Sequence, residues 1–337
     1  MITVTLYQKR DCQGCAEALS DLQSLQQDLP HQLVIIDLDQ KPDLEPSVGS
    51  NVPIVEVGPY RLRSPFSKQD LKATIGAAQD RLDHYQAVGD KHFAERLERG
   101  QKLTDADRFT GWFSSHYMLV FNLIFLVYSG LPVLAPVLMK VGATGPASAI
   151  YTVYRLFCHQ LAYRTWFLFG QQTAYPRQLA GVAGLSTFEQ VTGINSLNVP
   201  ASQNFIGNPH LGYKMAYCQR DFAIYGSILL FGLLFSATRG RLKALPWYLW
   251  ILIGILPIAV DGFTQLPSLM NYSWLSWAPI RESTPFLRTI TGFLFGFATA
   301  WFGYPYIEET MRETRLLMAR KIAISTQAVS IPRTSRS

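Results

Sequence analysis

Charged residues are scarce in this chain of 337 residues. Asp, Glu, Lys and Arg make up 16% of the sequence and hydrophobic residues 48%, whereas a soluble domain carries roughly 25% charged residues. The shortage lies beyond residue 110, and the first hundred residues have the composition of a soluble domain. We therefore expect a soluble N-terminal part followed by a membrane part whose partner is the lipid bilayer.

Cysteine is also scarce, and two other patterns are missing. The four cysteines are too few for a scaffold held together by disulfides. Met1 leads into a strand-forming run without a basic start or an apolar core, so we expect no secretory signal. The net charge of +6 is not arranged as a basic stripe with interleaved aromatics, which argues against nucleic acid as a partner. Basic residues beside membrane segments account for this charge instead.

Two of the cysteines lie between a strand pattern and a helix pattern at the N-terminus. Ile2–Tyr7 is apolar and β-branched, Cys12 and Cys15 follow, and leucines then recur at helical spacing from Ala16 to Asp28. A helix N-terminus stabilises a thiolate. Cys12 is therefore the expected attacking sulfur, and Cys15, one turn inside the helix, is expected to resolve a mixed disulfide. The alternative is an unremarkable or metal-binding pair of cysteines.

The residues that follow complete the pattern of a small α/β domain. Further strands are predicted at Leu33–Leu38, Ile54–Val57 and Tyr60–Leu62, and a closing helix runs from Ser67 to about Ala78. Over roughly residues 1–80, this β-α-β-β-β-α order resembles the glutaredoxin-like branch of the thioredoxin superfamily. The resemblance implies that Pro53 forms a cis-proline turn facing the two cysteines and shapes a groove for the substrate. That substrate would be a thiol or disulfide protein or a small thiol.

One departure from the glutaredoxin pattern bears on the substrate. Glutaredoxins usually carry a double glycine after the last strand, where it helps to hold glutathione. Ser64-Pro65-Phe66 stands there in this chain. The sequence therefore favours redox activity over glutathione binding.

Long apolar runs begin after a charged, helical connector at residues 81–115. Four of them have about the length that a bilayer demands: His116–Met139, Phe222–Ala237, Leu245–Val260 and Phe286–Tyr304. Ala149–Phe169 is also apolar, but it carries Arg155 and Arg164. An arginine at mid-membrane costs roughly 2.5–3.5 kcal/mol on insertion scales, which argues against a fifth span.

The distribution of basic residues predicts the orientation of these spans. The connector, the loop Arg239–Lys243 and the tail 307–337 are all basic, and basic loops stay in the cytoplasm. The three placements agree if four spans cross and Ala149–Phe169 is an interfacial or re-entrant helix on the outer side. We thus expect a multi-pass membrane protein. Its membrane domain covers 116–306, with an outer insertion at 171–217 and both termini in the cytoplasm.

Polar motifs lie at the outer ends of the predicted spans. They are Cys158-His159-Gln160, Cys218 to Asp221 followed by Ile224-Tyr225-Gly226, Asp261 to Gln265, and Arg288 to Gly292. Over about residues 115–305 they resemble the DUF2085 family of bacterial and archaeal membrane proteins, with its pattern of CHQ, CxRC, IYG, DGxxQ and a late R-xx-TG. The resemblance implies a bacterial or archaeal plasma membrane. Asp221 stands where that family has the second cysteine of CxRC. The family name implies no activity.

Three interpretations of this outer cluster stay open. Cys158, His159, Cys218 and Asp221 form a ligand set that suits zinc. Alternatively, Cys158 and Cys218 form a disulfide, since both would face an oxidising compartment. In the third interpretation the polar residues only pack a helical bundle, with Arg220 paired to an aspartate. Because an unpaired polar group in a membrane costs several kcal/mol, we expect the polar residues Arg220, Asp261, Gln265 and Arg288 to converge on this cluster.

The sequence as a whole predicts a thioredoxin-like α/β domain joined to an all-α polytopic membrane domain. The favoured function is thiol–disulfide oxidoreduction at the inner face of the membrane, through Cys12 and Cys15, with a larger membrane complex as a potential setting. The alternative is a non-enzymatic membrane component that binds or transports a metal, in which the thioredoxin-like domain docks or senses.

Overall fold

The computed structural model describes residues 2–42, 44–49, 51–266 and 281–329. The chain divides into two compact units, one made of Met1–Tyr117 with Glu308–Ser337 and the other of Met118–Ile307. The end of the basic tail, 330–337, lies outside the described residues.

The first unit contains a four-stranded sheet. Its elements are β1 (Ile2–Gln8), α1 (Gln13–Leu25), β2 (His31–Asp37), α2 (Glu45–Val48), β3 (Ile54–Val57), β4 (Tyr60–Arg63), α3 (Lys68–Val88) and α4 (Lys91–Gln101). The strand order is β2-β1-β3-β4, with β1 parallel to β2 and antiparallel to β3. This sheet with its helices fits a thioredoxin-like fold, and the strands and helices predicted for residues 1–80 are confirmed.

Successive side chains along each strand point to opposite faces of the sheet, and in the first unit both faces carry apolar residues. Val4 and Leu6 pack with Leu22 of α1 and Ile75 of α3 in one cluster. Tyr7, Ile36, Leu38 and Ile54 belong to a second cluster, which also contains Leu316, Ala319 and Ala323 from the C-terminal helix. Part of the basic tail is thus helical and covers one face of the sheet.

Polar contacts also connect the connector and the C-terminal helix within this unit. Lys321 Nζ lies 2.6 Å from a carboxylate oxygen of Asp107, and Arg315 donates to the carbonyl oxygen of Ser114 at 2.7 Å. Arg320 lies 3.3 Å from Glu56 of β3. These contacts place residues 105–117 and 308–323 in the same compact unit as the sheet.

The second unit is mostly helical, with a small sheet. Its elements are α5 (Asp105–Lys140), α6 (Thr144–Tyr154), β5 (Thr165–Leu168), α7 (Phe188–Thr192), α8 (Val199–Asn204), β6 (Gly207–Asn208), β7 (Gly212–Cys218), α9 (Gln219–Ala237), α10 (Trp247–Phe263) and α11 (Pro285–Val329). The first unit contains the start of α5 and the end of α11. A π-helical turn, Trp250–Ile255, interrupts α10, and β5, β7 and β6 form a three-stranded sheet.

The prediction of a single helix over Ala149–Phe169 is wrong. Helix α6 ends at Tyr154, and the segment Thr165–Leu168 forms strand β5, antiparallel to β7. Its Thr-Trp-Phe-Leu sequence is β-branched and aromatic, which suits a strand once a partner is available. That partner comes from the predicted insertion, far along the chain, and local helical spacing did not reveal it.

In the described part of the chain, two helices are long and apolar enough to cross a membrane: Asp105–Lys140 and Gln219–Ala237. They contain the predicted spans His116–Met139 and Phe222–Ala237. The predicted span Leu245–Val260 falls largely in α10, which is apolar but shorter. The fourth, Phe286–Tyr304, lies within α11.

Glycines bring α9 and α11 into close contact. A Cβ atom added to Gly292 would clash with the backbone carbonyl of Arg220, and one added to Gly296 would clash with that of Ile224. Pairs of glycines four residues apart allow helix backbones to approach in this way. This approach sets the distance between the polar residues at the N-terminal ends of the two helices.

We expect Gly296→Ala to lower the stability of the protein, because the added methyl group meets the backbone of α9 and forces the helices apart. Overpacking of this kind costs roughly 1–3 kcal/mol. Gly303→Ala is the matched control in the same helix, since a Cβ there meets no atom of the described residues within 4 Å. Thermal unfolding of both variants in detergent tests the prediction. Equal unfolding temperatures would contradict it.

Candidate functional site

Cys12 lies at the N-terminus of α1, and its sulfur caps the helix. The Sγ atom accepts a hydrogen bond from the backbone N–H of Cys15 at 3.1 Å. The first N–H groups of a helix lack a carbonyl partner, so a sulfur at this position meets a positive helix end. No acidic residue lies in the first turn, which is described in full. This environment favours a thiolate at Cys12.

Cys12 and Cys15 differ in their access to solvent. They form a disulfide with Cα atoms 5.2 Å apart. Cys12 is half-buried, whereas Cys15 is only 2% exposed. Of the two sulfur-bearing side chains, that of Cys12 is therefore the more accessible to solvent.

Pro53 faces the two cysteines. The Val52–Pro53 bond is cis, and Cys12 Sγ lies 3.7 Å from the carbonyl oxygen of Val52. A Cβ atom at Gly14, between the cysteines, would lie 3.5 Å from Pro53 Cδ. The residue pattern that resembled a glutaredoxin therefore places Cys12, Cys15 and Pro53 side by side at one end of the sheet.

A second group of sulfur atoms lies in the other unit. The Sγ atoms of Cys158 and Cys218 and a carboxylate oxygen of Asp221 all lie within 4.8 Å of one another. Cys218 caps α9, because its Sγ accepts the backbone N–H of Asp221 at 3.4 Å. Cys158 lies just beyond the end of α6. We call Cys158, Cys218 and Asp221 the thiol–carboxylate group.

The two neighbours of Cys158 in the CHQ motif point elsewhere. Among the described residues, the thiol–carboxylate group does not include His159, whose side chain is exposed. Gln160 is buried with a φ of 51°, and its side chain donates to the carbonyl oxygen of Tyr151 at 2.8 Å. The left-handed conformation of Gln160 turns the chain away from the helix direction, which separates the three side chains.

The two thiols differ in acidity. The hydrogen bond to Cys218 and burial raise the pKa of Cys158 above its ordinary value. The same hydrogen bond lowers the pKa of Cys218, whose sulfur also lies at a helix N-terminus. Cys158 is therefore the hydrogen-bond donor and Cys218 the more acidic of the two thiols. Thiol sulfurs beside a carboxylate form a ligand set that is suited to a cation.

Asp261, at the C-terminal end of α10, is a buried carboxylate with several donors. Arg220 pairs with it directly, Arg281 lies 2.9 Å from its other oxygen, and Ser283 donates to it at 2.9 Å. Asp261 is 2% exposed in its side chain. Burying a carboxylate to this degree is costly unless such partners surround it.

Glu282 is a second buried carboxylate with arginine partners. Arg164 approaches both of its oxygens, at 2.9 and 3.0 Å, Arg177 lies 3.1 Å away, and Arg288 pairs with it directly. Burial alone would raise the pKa of Glu282, but the three arginines hold this pKa below its ordinary value. Glu282 is therefore an anion in the folded protein.

The two carboxylates belong to one assembly. Arg288 donates to Gln265 at 2.6 Å as well as to Glu282, and Gln265 donates to the backbone oxygen of Asp261. We call Arg164, Arg177, Arg220, Arg281 and Arg288 the arginine cluster. The structure thus brings together the predicted polar residues Arg220, Asp261, Gln265 and Arg288. Sequence reasoning did not single out Glu282 or Arg177. The signal for Glu282 was its place next to Arg281, shortly before the apolar run that begins at Phe286.

Comparison with known families matches both parts of the chain. Residues 3–76 match the glutaredoxin-like domain family (DUF836), and residues 209–302 match the family of predicted membrane proteins DUF2085. The chain therefore combines a glutaredoxin-like domain with a DUF2085 membrane domain, as the sequence motifs predicted. The second match begins beyond the CHQ motif.

One relative is an uncharacterized protein of Methanocaldococcus jannaschii. It is 29% identical over 202 residues, which is 57% of this chain and 94% of the relative. No solved structure matches this chain.

Proposed function

We propose that this glutaredoxin-like domain, joined to a membrane domain, is a membrane-anchored thiol–disulfide oxidoreductase. The observation that carries the proposal is the position of Cys12: its sulfur accepts a backbone N–H at the start of α1, and it is paired with Cys15. A thiolate is the reactive form of cysteine, and a helix N-terminus lowers the thiol pKa. Pro53, next to both cysteines, shapes the groove that receives the substrate.

The proposed reaction is an exchange of disulfides. The Cys12 thiolate attacks one sulfur of a substrate disulfide, forming a mixed disulfide and releasing the other substrate sulfur as a thiolate, which takes up a proton. Cys15 loses its proton and attacks Cys12, which breaks the mixed disulfide. The substrate leaves as a dithiol and the protein carries the Cys12–Cys15 disulfide. In the reverse direction a substrate dithiol is oxidised.

The substrate class follows from the surroundings of the two cysteines. Ser64-Pro65-Phe66 replaces the double glycine that would help to hold glutathione. A disulfide or thiol of a protein or of another small thiol is the substrate that this sequence favours. A larger membrane complex would bring such a substrate to the domain.

The anchor is proposed to be multi-pass, with four spans and both termini in the cytoplasm. Leu119, Leu123 and Ile124 of α5 are 64%, 56% and 55% exposed, so this helix presents apolar side chains that lipid would cover. The basic loop Arg239–Lys243 and the basic connector support the cytoplasmic placement. The redox domain would then work at the inner face of the plasma membrane.

A second candidate function is metal binding at the thiol–carboxylate group. Two sulfurs and a carboxylate oxygen within 4.8 Å are compatible with a tetrahedral zinc site, in which Zn–S bonds measure about 2.3 Å. Water would take the fourth position. The same proximity is compatible with a Cys158–Cys218 disulfide, so the experiment must separate the two.

The roles of Cys12 and Cys15 are tested with the full-length protein reducing a protein disulfide such as that of insulin. We expect Cys12→Ser to reduce the rate to background and Cys15→Ser to accumulate a mixed disulfide through Cys12. Alkylation of reduced Cys12 should show a pKa below the ordinary thiol value of about 8.5. The double variant Cys158→Ser, Cys218→Ser is the control and should keep the activity. A mixed disulfide in Cys12→Ser but not in Cys15→Ser would reverse the assigned roles.

The orientation is tested with reporter fusions placed after residues 196, 241 and 337. A reporter active only in the cytoplasm should work after Arg241 and Ser337, and a reporter active only outside should work after Ser196. The physical reason is the retention of basic loops in the cytoplasm. An external signal after Ser337 would mean that the number of crossings is odd and that the four-span arrangement is incorrect.

The metal site is tested by measuring the zinc content of the purified full-length protein. We expect about one zinc per chain, lost in the double variant Cys158→Ser, Cys218→Ser and reduced in Asp221→Ala, because these residues supply the ligands. The double variant Cys12→Ser, Cys15→Ser should retain the metal. A metal-free protein whose mass spectrum contains a Cys158–Cys218 disulfide would rule out this second function.

A further inference from the structure

The arginine cluster contains more positive charge than its own carboxylates balance. Five guanidinium groups share the two carboxylates of Asp261 and Glu282, so these seven side chains together carry an excess of three positive charges. A buried or half-buried charge without a counter-charge is costly. Ion pairing within the protein therefore does not account for the excess positive charge of the arginine cluster.

The remaining acidic residues of the second unit do not supply the missing charge. Asp221 belongs to the thiol–carboxylate group, and Glu189 accepts the backbone N–H of Gln178 at 3.1 Å. The sequence of residues 267–280, which lie outside the described residues, contains no Asp or Glu. Even if Asp221 contributed its charge, the cluster would remain positive.

The cluster also has hydrogen-bonding capacity that no protein group uses. Arg220 donates to Asp261 through one terminal nitrogen, while its buried Nε has no partner among the described residues. A buried donor without an acceptor is unfavourable. An anion that accepts from Nε would remove this cost and balance the charge at the same time.

The side chains of two of the arginines are partly exposed to solvent. The carboxylates of Asp261 and Glu282 are each 2% exposed, whereas the side chains of Arg220 and Arg281 are 20% and 35% exposed. The acceptors inside the cluster are thus buried, and donors remain within reach of a molecule that arrives at the surface.

The position of the cluster favours a phosphate group over other anions. Arg288 lies near the N-terminus of α11, and helix N-termini attract phosphate. Arginine forks match the oxygen geometry of phosphate. If the apolar helices cross the bilayer as in the proposed function, this end lies at the depth of the lipid headgroups.

We propose that the arginine cluster binds a phosphate group, either free phosphate or the headgroup of a phosphate monoester lipid. The phosphate oxygens accept from Arg220 and Arg281, and its negative charge balances the excess of the cluster. Only the lipid source rests on the proposed membrane topology; phosphate binding itself does not depend on it or on the redox reaction of Cys12.

The test uses the full-length protein in a neutral detergent and titrates it with inorganic phosphate at constant ionic strength, followed by calorimetry. In a second arm the protein is placed in phosphatidylcholine nanodiscs with or without phosphatidic acid, and retained lipid is identified by mass spectrometry. We expect saturable binding at one site per chain in at least one arm. Binding in the first arm assigns free phosphate, and retention only in the second assigns the lipid headgroup.

The variants distinguish phosphate binding at the arginine cluster from nonspecific attraction of phosphate to a basic protein. We expect Arg281→Gln and Arg220→Gln to weaken binding at least about tenfold, as expected for loss of a charge-assisted hydrogen bond. Arg155→Gln is the matched control, because Arg155 is an exposed arginine of the same unit outside the cluster. If Arg220→Gln does not fold, Arg281→Gln decides, since Asp261 then keeps Arg220 and Ser283 as partners.

Two results would overturn the proposal. One is the absence of binding in both arms with a folded protein. The other is equal weakening, or none, in Arg281→Gln and Arg155→Gln. Cys12→Ser should bind phosphate like the wild type, so that a failure of the redox proposal and a failure of this one are distinguishable.

Discussion

The first backbone N–H groups of a helix have no carbonyl to donate to, and in this protein a cysteine sulfur fills that role at two helices. Cys12 accepts at the start of α1 and Cys218 at the start of α9. Each sulfur is thereby held at a positive helix end with its charged form favoured, and each has a second cysteine close by. The candidate chemistry of both units depends on this one arrangement.

The surroundings of the two sulfurs explain why we assign them different functions. Cys12 has a cysteine partner one turn inside its own helix, and it is half-buried beside Pro53, so a substrate can reach it. Cys218 has its partner on a different segment and a carboxylate, Asp221, in the same group. The first arrangement suits the exchange of a disulfide, and the second suits a cation held by ligands from two elements.

Low charge content makes the buried arginines of the second unit the clearest sign of function there. In a chain that is 16% charged, five arginines converge on two carboxylates that are almost fully buried. Close packing of Gly292 and Gly296 on α9 brings Arg220 near Arg288. Arg281 and Ser283 contact Asp261, while Glu282 between them pairs with the other arginines. A buried ion pair adds little to stability, and ionisable groups in an apolar membrane protein point to a functional site.

The sequence by itself determined those parts of the fold whose patterns extend over only a few residues. The alternation of Ile2–Tyr7, the spacing of Cys12 and Cys15 from the helix that follows, and Pro53 before β3 predicted the glutaredoxin-like domain, since strand, helix and turn patterns act over a few residues. The motifs around Asp261 and Arg288 likewise predicted the membrane family. Only the tertiary structure decided that Thr165–Leu168 is a strand, because its partner β7 lies about fifty residues further along the chain. It also decided that Ala319 covers the sheet of the first unit, that Cys158 lies beside Cys218 and Asp221, and that Glu282 is the centre of three arginines. These contacts join segments distant in sequence, and no local pattern records which of them meet.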